Sequence, residues 1–279
     1  NSEYDPDGTI ADMGAYYFHQ TSGCTDSLAT NYNPYADFDD GSCTYPNAGD
    51  YSLSFDGEDD IVTTNLTPPI GSASRSILYW AKRDNPSSTS IEYVSFYGEE
   101  GGACGESFRT GFGDGGPGVY IGIGCSKIVY SAINDTNWHN YAYVVPDIIS
   151  PTIEDILVYQ DGVLLNSIEE EQGSMNQLIS TTPQQDLSFG YNSYSGDVDD
   201  FSVFQIPLTA QEIQSYMSTA PMGDETGLAG YWKFNAGEGD ILYDHSGNQN
   251  HGTIYGATWV ENIYGCTDPT ATNYNPDAT

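Results

Sequence analysis

Residues 196–213 read GDVDDFSVFQIPLTAQEI, and within them one structural period gives way to another. Val198 to Ile206 is rich in β-branched and aromatic residues and predicts a strand. Pro207 ends it. Thr209 then stands as an N-cap with Glu212 three residues on, the reciprocal pair of a capping box. A helix is expected from there to about Met217, with Ile213 and Met217 resting on a sheet.

Outward from this stretch, short strand-like runs recur between turn signals. YSLSFD, DIVTT, RSILYWAK, IEYVSFYG, SFRTGFG, VYIGIG and KIVYSA come before it, as do WHNYAYVV, DILVYQDGVLL and LSFGYN, and LAGYWKF follows. Tyr51 to Phe55 and Trp138 to Tyr143 alternate with the period of half-buried antiparallel strands. Asp161-Gly162 predicts a tight hairpin whose two central residues need positive φ. Roughly a dozen strands and one helix make an all-β chain, expected to be a two-sheet antiparallel jelly-roll sandwich.

Composition narrows the function. Six Lys and Arg stand against forty Asp and Glu, a net charge of −34. Such a surface repels nucleic acid and anionic membranes, and favours solubility and capture of divalent cations. Twenty-three Tyr, ten Phe and four Trp supply the core that a disordered acidic chain lacks. No apolar run approaches membrane-spanning length. A chain that opens Asn1-Ser2-Glu3 without Met reads as a piece of something longer.

A repeat brackets the strands. GCTDSLATNYNPYAD (23–37) and GCTDPTATNYNPDAT (265–279) agree at eleven of fifteen positions. The first copy continues to Cys43; the second stops before an equivalent cysteine. Cys24 is expected to pair with Cys43 and Cys104 with Cys125, leaving Cys266 without its mate. So small a segment needs a staple to fold, and no CxxC pair or matching histidines support a metal-thiolate site. Disulfides imply an oxidising compartment, hence a secreted or cell-surface protein. Asp26, Asn31, Asn33, Asp37, Asp39 and Asp40 pack hard oxygen donors into the repeat. They suit a calcium site or, equally, a set of Asx turns. The repeat resembles the GCTD…NYNP…DDGSC modules of large secreted proteins, especially of marine bacteria. Residues 5–17, DPDGTIADMGAYY, look like the closing turn of a parallel β-helix, with Asp5, Asp7 and Asp12 open to calcium or to a plain turn. Four segments are expected: 1–20 an upstream remnant, 21–48 a cysteine repeat, 49–260 the sandwich and 261–279 a truncated second repeat.

The central segment resembles the laminin G-like, concanavalin A-like lectin domains. SFDGEDDIV (54–62), LYWAKR (78–83), WHNYAYV (138–144), LVYQDGVLL (157–165) and the stretch from FGYN (189–192) to Ile213 follow that pattern in order. Val203 to Pro207 departs from it where the family carries a basic residue. GLAGYWKFNAGEGDILYDHSGNQNHGTIYGATW (227–259) matches a family segment that normally precedes SFDG. It is expected to supply a permuted strand of the same sandwich.

Asp244-His245-Ser246-Gly247-Asn248-Gln249-Asn250-His251-Gly252 gathers several hard oxygens on a Gly-containing turn, which suits calcium better than zinc or magnesium. The resemblance implies a structural calcium held by Asp244 and Asn248, with backbone oxygens near Gly247 and Asn250, completed by Asp199 and, less centrally, Asp200. An Asx-rich turn without metal is the alternative. His245, His251 and His139 are read as packing or surface positions.

No catalytic set stands out. The acid-rich strand motif of related glucanases, a nucleophile elbow and a phosphate loop are all absent. A non-catalytic module is therefore expected. The Gly-rich stretch 101–120, stapled by Cys104–Cys125, offers Tyr97, Phe108, Arg109, Phe112, Asp114 and Tyr120 as ligand candidates, if they are not core. The expected role is a calcium-stabilised adhesion or glycan-binding module, its partner an extracellular glycan or a neighbouring surface-protein module. A structural stalk unit that packs against copies of itself is the rival, and a polysaccharide-active enzyme comes third.

Overall fold

The computed structural model describes residues 20–88, 90–113, 118–190, 194–263, 270 and 272. The β-helix-like stretch 5–17, Asp114 and most of the second repeat with Cys266 lie outside them. The chain divides into two compact units, Asn1–Asn47 and Ala48–Thr279.

In the first unit, strands β1 (Ser22–Gly23) and β2 (Phe38–Asp39) pair in parallel, and Cys24 is bonded to Cys43. A Cβ on Gly23 would stand 2.9 Å from the Asn33 amide nitrogen, so that side chain would have to shift.

The second unit begins with β3 (Tyr51–Asp56), β4 (Ile61–Thr64), β5 (Arg75–Arg83), β6 (Glu92–Gly98) and β7 (Ser107–Phe112). Next come β8 (Val119–Ile123), β9 (Ser126–Tyr130), β10 (His139–Val145), β11 (Leu157–Gln160) and β12 (Val163–Leu164). β13 (Ile168–Gln172), β14 (Ser188–Phe189) and β15 (Ser195–Phe204) precede helix α1 (Ala210–Ser218). β16 (Leu228–Trp232), β17 (Ile241–Leu242), β18 (Gly252–Tyr255) and β19 (Thr258–Glu261) close the unit.

They form two antiparallel sheets. One runs β12-β11-β10-β5-β15-β3-β19, with β16 also on β15; the other runs β13-β9-β8-β7-β6-β14-β4-β18-β17. The segment after the helix thus completes both sheets. β19 lies antiparallel on β3, Glu261 opposite Tyr51, and the Asn262 N–H donates to the Asp50 carbonyl at 2.9 Å.

Alternation fills the space between the sheets. Ile77, Tyr79 and Ala81 of β5, with Val198, Phe201 and Val203 of β15, join Val94, Phe108, Phe112 and Ile121 of the facing sheet in one core. Tyr79 stacks on Phe201 at 5.2 Å, and its hydroxyl meets those of Thr110 and Tyr143, so the buried phenols are satisfied.

The helix forms on the expected cap, with both reciprocal bonds of Thr209 and Glu212 in place. Ile213 is fully buried against Leu78, Val144 and Phe204. Tyr216, rather than Met217, is the second residue on this cluster, stacked on Phe204 at 5.3 Å. Met217 instead covers the Asp161-Gly162 turn, whose φ values of 50° and 70° are those expected.

Candidate functional site

The most charged locus is built by strand β15. β5 pairs along one of its edges. The other edge is shared, by β3 along Ser195–Val198 and by β16 along Phe201–Phe204. Asp199 and Asp200 fall in the gap between these two neighbours. There β15 bulges, and Asp200 takes φ 46°, so consecutive acids reach one locality. Asp199 accepts from the Asp200 N–H at 2.7 Å and from the Asn262 amide at 3.1 Å. The same amide donates to Asp50 at 2.7 Å, and the Tyr231 hydroxyl donates to Asp200 at 2.7 Å. Burial, then the charge of Asp200, holds the Asp199 carboxyl well above the usual range; burial raises Asp200 as well. The Asn262 amide thus joins Asp50 to Asp199, and Tyr231 holds Asp200; the three acids form a hydrogen-bonded acidic locus whose ligand atoms do not all come within 4.8 Å of one another. Asp50 lies in no motif, and the sequence reading missed it.

Asp244 is a different environment. Its side chain is fully buried, and both oxygens are occupied by the protein. One accepts from the N–H groups of Tyr231 and Ser246, each at 2.9 Å; the other accepts from the Ser246 hydroxyl and the Asn250 N–H, also at 2.9 Å. The Asn248 and Asn250 amides donate to the Ala229 carbonyl, and the Asn250 carbonyl accepts from Trp232. Loop 244–250 therefore serves as a side-chain neighbour for the outer edge of β16. Tyr231 spans the two loci, with its N–H on Asp244 and its phenol on Asp200. Of the residues expected around one calcium, Asp244, Asn248 and Asn250 are joined by hydrogen bonds within loop 244–250, while Asp199 and Asp200 lie at the β15 bulge beside Asn262 and Tyr231. Within the loop, burial lowers the pKa of His245 to about 4.

The polar side chains of the first unit are used in turns. Asp26 accepts from the Leu28 N–H and the Tyr45 hydroxyl, and Asn31 bridges Ser42 and Thr44. Asn33, Asp37, Asp39 and Asp40 accept from the N–H groups of Tyr35, Thr21, Gly41 and Ser42. Among the described residues, three acidic ligand atoms come within 4.8 Å of one another at Asp56, Asp59 and Asp60. That turn is also tied internally, Asp60 accepting from the Asp56 N–H.

The ligand candidates divide by strand parity. Tyr97, Phe108 and Phe112 point inward and are at most 2% exposed within the core, so their expected role as a recognition surface is corrected. Arg109 and Tyr120 point outward from the nine-stranded sheet, with Tyr93 and Phe96, which the sequence reading did not single out. Arg109 lies 5.5 Å from the Tyr93 ring centre and 5.3 Å from that of Phe96. Tyr93 and Tyr120 are 5.4 Å apart, and Tyr120 lies across Gly122, where a Cβ would meet its hydroxyl. Every residue of β6 to β9 is buried except Arg109, which solvent partly reaches. Cys104 is bonded to Cys125, tying the β6–β7 loop to the β8–β9 turn at one end of this sheet.

No protein-family model and no curated protein matches the sequence. Among solved structures, the chain is similar to a Bacteroides ovatus ATCC 8483 protein provisionally described as carbohydrate-binding. The TM-score is 0.55 at 14% identity, over 79% of this chain and 61% of that one, so the chain spans about three fifths of its length. Weaker similarity is found to a heptameric SAP-like pentraxin of Limulus polyphemus, with TM-score 0.39, 14% identity and coverage of 64% and 87%. The NanB sialidase of Streptococcus pneumoniae gives TM-score 0.40 and 13% identity, over 61% of this chain and 27% of that one. At these identities the likeness is one of fold.

Proposed function

We propose that this chain is a non-catalytic carbohydrate-binding module of an extracellular protein, stabilised by calcium. The observation that carries the reading is the outer face of the nine-stranded sheet. Arg109 is set there over the rings of Tyr93 and Phe96 beside Tyr120, and is the most solvent-exposed residue of β6 to β9. Its guanidinium edge offers N–H donors of the kind that bind sugar oxygens, and the rings that hold it are themselves buried, Tyr93 at 5%, Tyr120 at 2% and Phe96 at 0% exposed. The jelly-roll architecture shared with the Bacteroides ovatus protein agrees with it. Two disulfides support an oxidising, extracellular setting, and no described helix is long and apolar enough to cross a membrane.

Asp199 and Asp200, raised by burial, with Asp50 beside them, are the acids that calcium would have to draw together, since their ligand atoms do not all lie within 4.8 Å of one another. The ion would neutralise the buried acids at the β15 bulge, between β3 and β16. A glycan array probed with the purified chain, in calcium and again in chelator, tests the reading. Reproducible binding that Arg109→Ala abolishes is expected; a blank array from folded protein would overturn it. The rival is a structural stalk unit, favoured by the copies of the cysteine repeat on both sides of the sandwich. A blank array would leave that reading in place.

A further inference from the structure

We infer that Arg109 recognises an oxyanion carried on the sugar, a uronate carboxylate or a sulfate ester; the inference rests on the carbohydrate-binding reading. The starting point is a mismatch of charge. The chain carries forty acidic residues and six cationic ones, yet Arg109 has no carboxylate partner among the described residues. The other basic side chains are accounted for. Lys82 pairs with Asp197 at 2.9 Å, Arg83 with Glu92 at 3.0 Å and Lys127 with Glu170 at 3.1 Å. Lys233 stands near enough to Asp200 to act on its charge. Arg75 also lacks an acid, but its sealed guanidinium donates to the Ala73 and Gly71 carbonyls and to the hydroxyls of Tyr97 and Thr181.

Arg109 has a single hydrogen bond, to the Tyr93 hydroxyl at 3.5 Å, and its Nε is buried without an acceptor. Ring faces offset part of the cost of holding a cation there, but they cannot accept the in-plane N–H bonds of a guanidinium. A planar fork of donors that is partly reached by solvent, backed by two rings and short of acceptors, matches a carboxylate or sulfate edge. The local demand is for one anionic group. The net charge of −34 opposes a long polyanion, so the fitting ligand is a short or terminal acidic sugar unit.

The test is calorimetric titration of the purified chain, in calcium and about 0.15 M salt, where long-range repulsion is screened beyond about 8 Å. Four probes are used: galacturonate di- and trisaccharides, the same sugars with carboxyls reduced to alcohols, a sulfated galactan disaccharide and its desulfated form. Binding of at least one acidic probe is expected, weakened about 10- to 100-fold when its anionic group is removed and by a similar factor in Arg109→Gln, as for a charge-assisted hydrogen bond. Which acidic probe binds separates carboxylate from sulfate. The Arg109 Nε–H NMR resonance of the unaltered chain should shift downfield on binding, a readout that stands even if the variant fails to fold. Equal binding of acidic and neutral probes, or an unmoved Nε–H signal at saturation, would overturn the inference and leave the carbohydrate reading intact. No binding of any probe, together with a blank array, would overturn both.

Discussion

Asp244→Asn separates a hydrogen-bonded knot from a calcium ligand. Asp244 accepts four bonds, two on each oxygen, all at 2.9 Å and all within the protein. An asparagine can keep one oxygen in place, facing the Tyr231 and Ser246 N–H groups. Its amide nitrogen then confronts the Asn250 N–H, donor against donor, while the Ser246 hydroxyl can turn to accept. One hydrogen bond to a charged acceptor is lost outright, worth about 1.5–3 kcal/mol, and the others lose their charge assistance. The sum is about 3 kcal/mol. For a unit of this size that lowers Tm by roughly 6–12 °C. The assay is thermal unfolding of both proteins in chelator and in millimolar calcium. The knot predicts the same deficit under both conditions, because the donors belong to the protein. A variant that matches the unaltered chain in chelator and falls behind only in calcium would refute this reasoning.

Asp199→Asn should raise Tm at pH 7 in chelator, since it removes an anion that burial and Asp200 disfavour, and should abolish stabilisation by added calcium; scanning calorimetry with and without chelator reads both effects. The folded pKa of Asp199 lies above its unfolded value, so its metal-free contribution to stability is greatest at low pH and declines as pH rises through the folded pKa. A variant that still responds to calcium like the parent would remove Asp199 from the ion site. His245, lowered to about 4 from an unfolded value near 6.5, acts in the opposite sense: its contribution is complete above about pH 6.5 and is lost as pH falls towards 4. The difference amounts to up to about 3 kcal/mol. His245→Gln should flatten denaturant-derived stability across that window, and an unchanged slope would place the titration elsewhere. Replacing Cys104 and Cys125 together by Ser should cost about 3 kcal/mol, the loop-closure value for their spacing, measurable by urea unfolding; a loss under about 1 kcal/mol would show that the hydrogen bonds of this end suffice without the staple.

The strands and the helix were legible because their cues are local. Alternation marked β3 and β10, Thr209 and Glu212 marked the helix start, and Asp161-Gly162 marked its turn. β13 was not. Ile168 to Gln172 reads as a charged, helix-prone run, and it is a strand because it lies on β9, where Lys127 meets Glu170. Side-chain direction was lost for a related reason. In Ile91 to Tyr97 both parities are apolar, and a register shift between Tyr93 and Ser95 breaks the alternation, so core and outer face cannot be told apart. The 244–250 loop was ambiguous in kind. Asp and Asn on a Gly-containing turn offer the same oxygens to calcium or to N–H groups, and the deciding donor, Tyr231, lies thirteen residues away on another strand. The gathering of Asp50 with Asp199 and Asp200 depends on where β3 and β16 meet along β15, which no motif encodes.

The antiparallel pairing of β3 with β19 has a mechanical meaning. The strand that opens the sandwich and the strand that closes it meet side by side, with Asn262 bonded to Asp50. Adjacent strands stand about 4.8 Å apart, so the sandwich would add little contour length to a longer chain passing through it. Tension on the two ends would open the β3–β19 ladder bond by bond, as a zipper, instead of shearing all its bonds together.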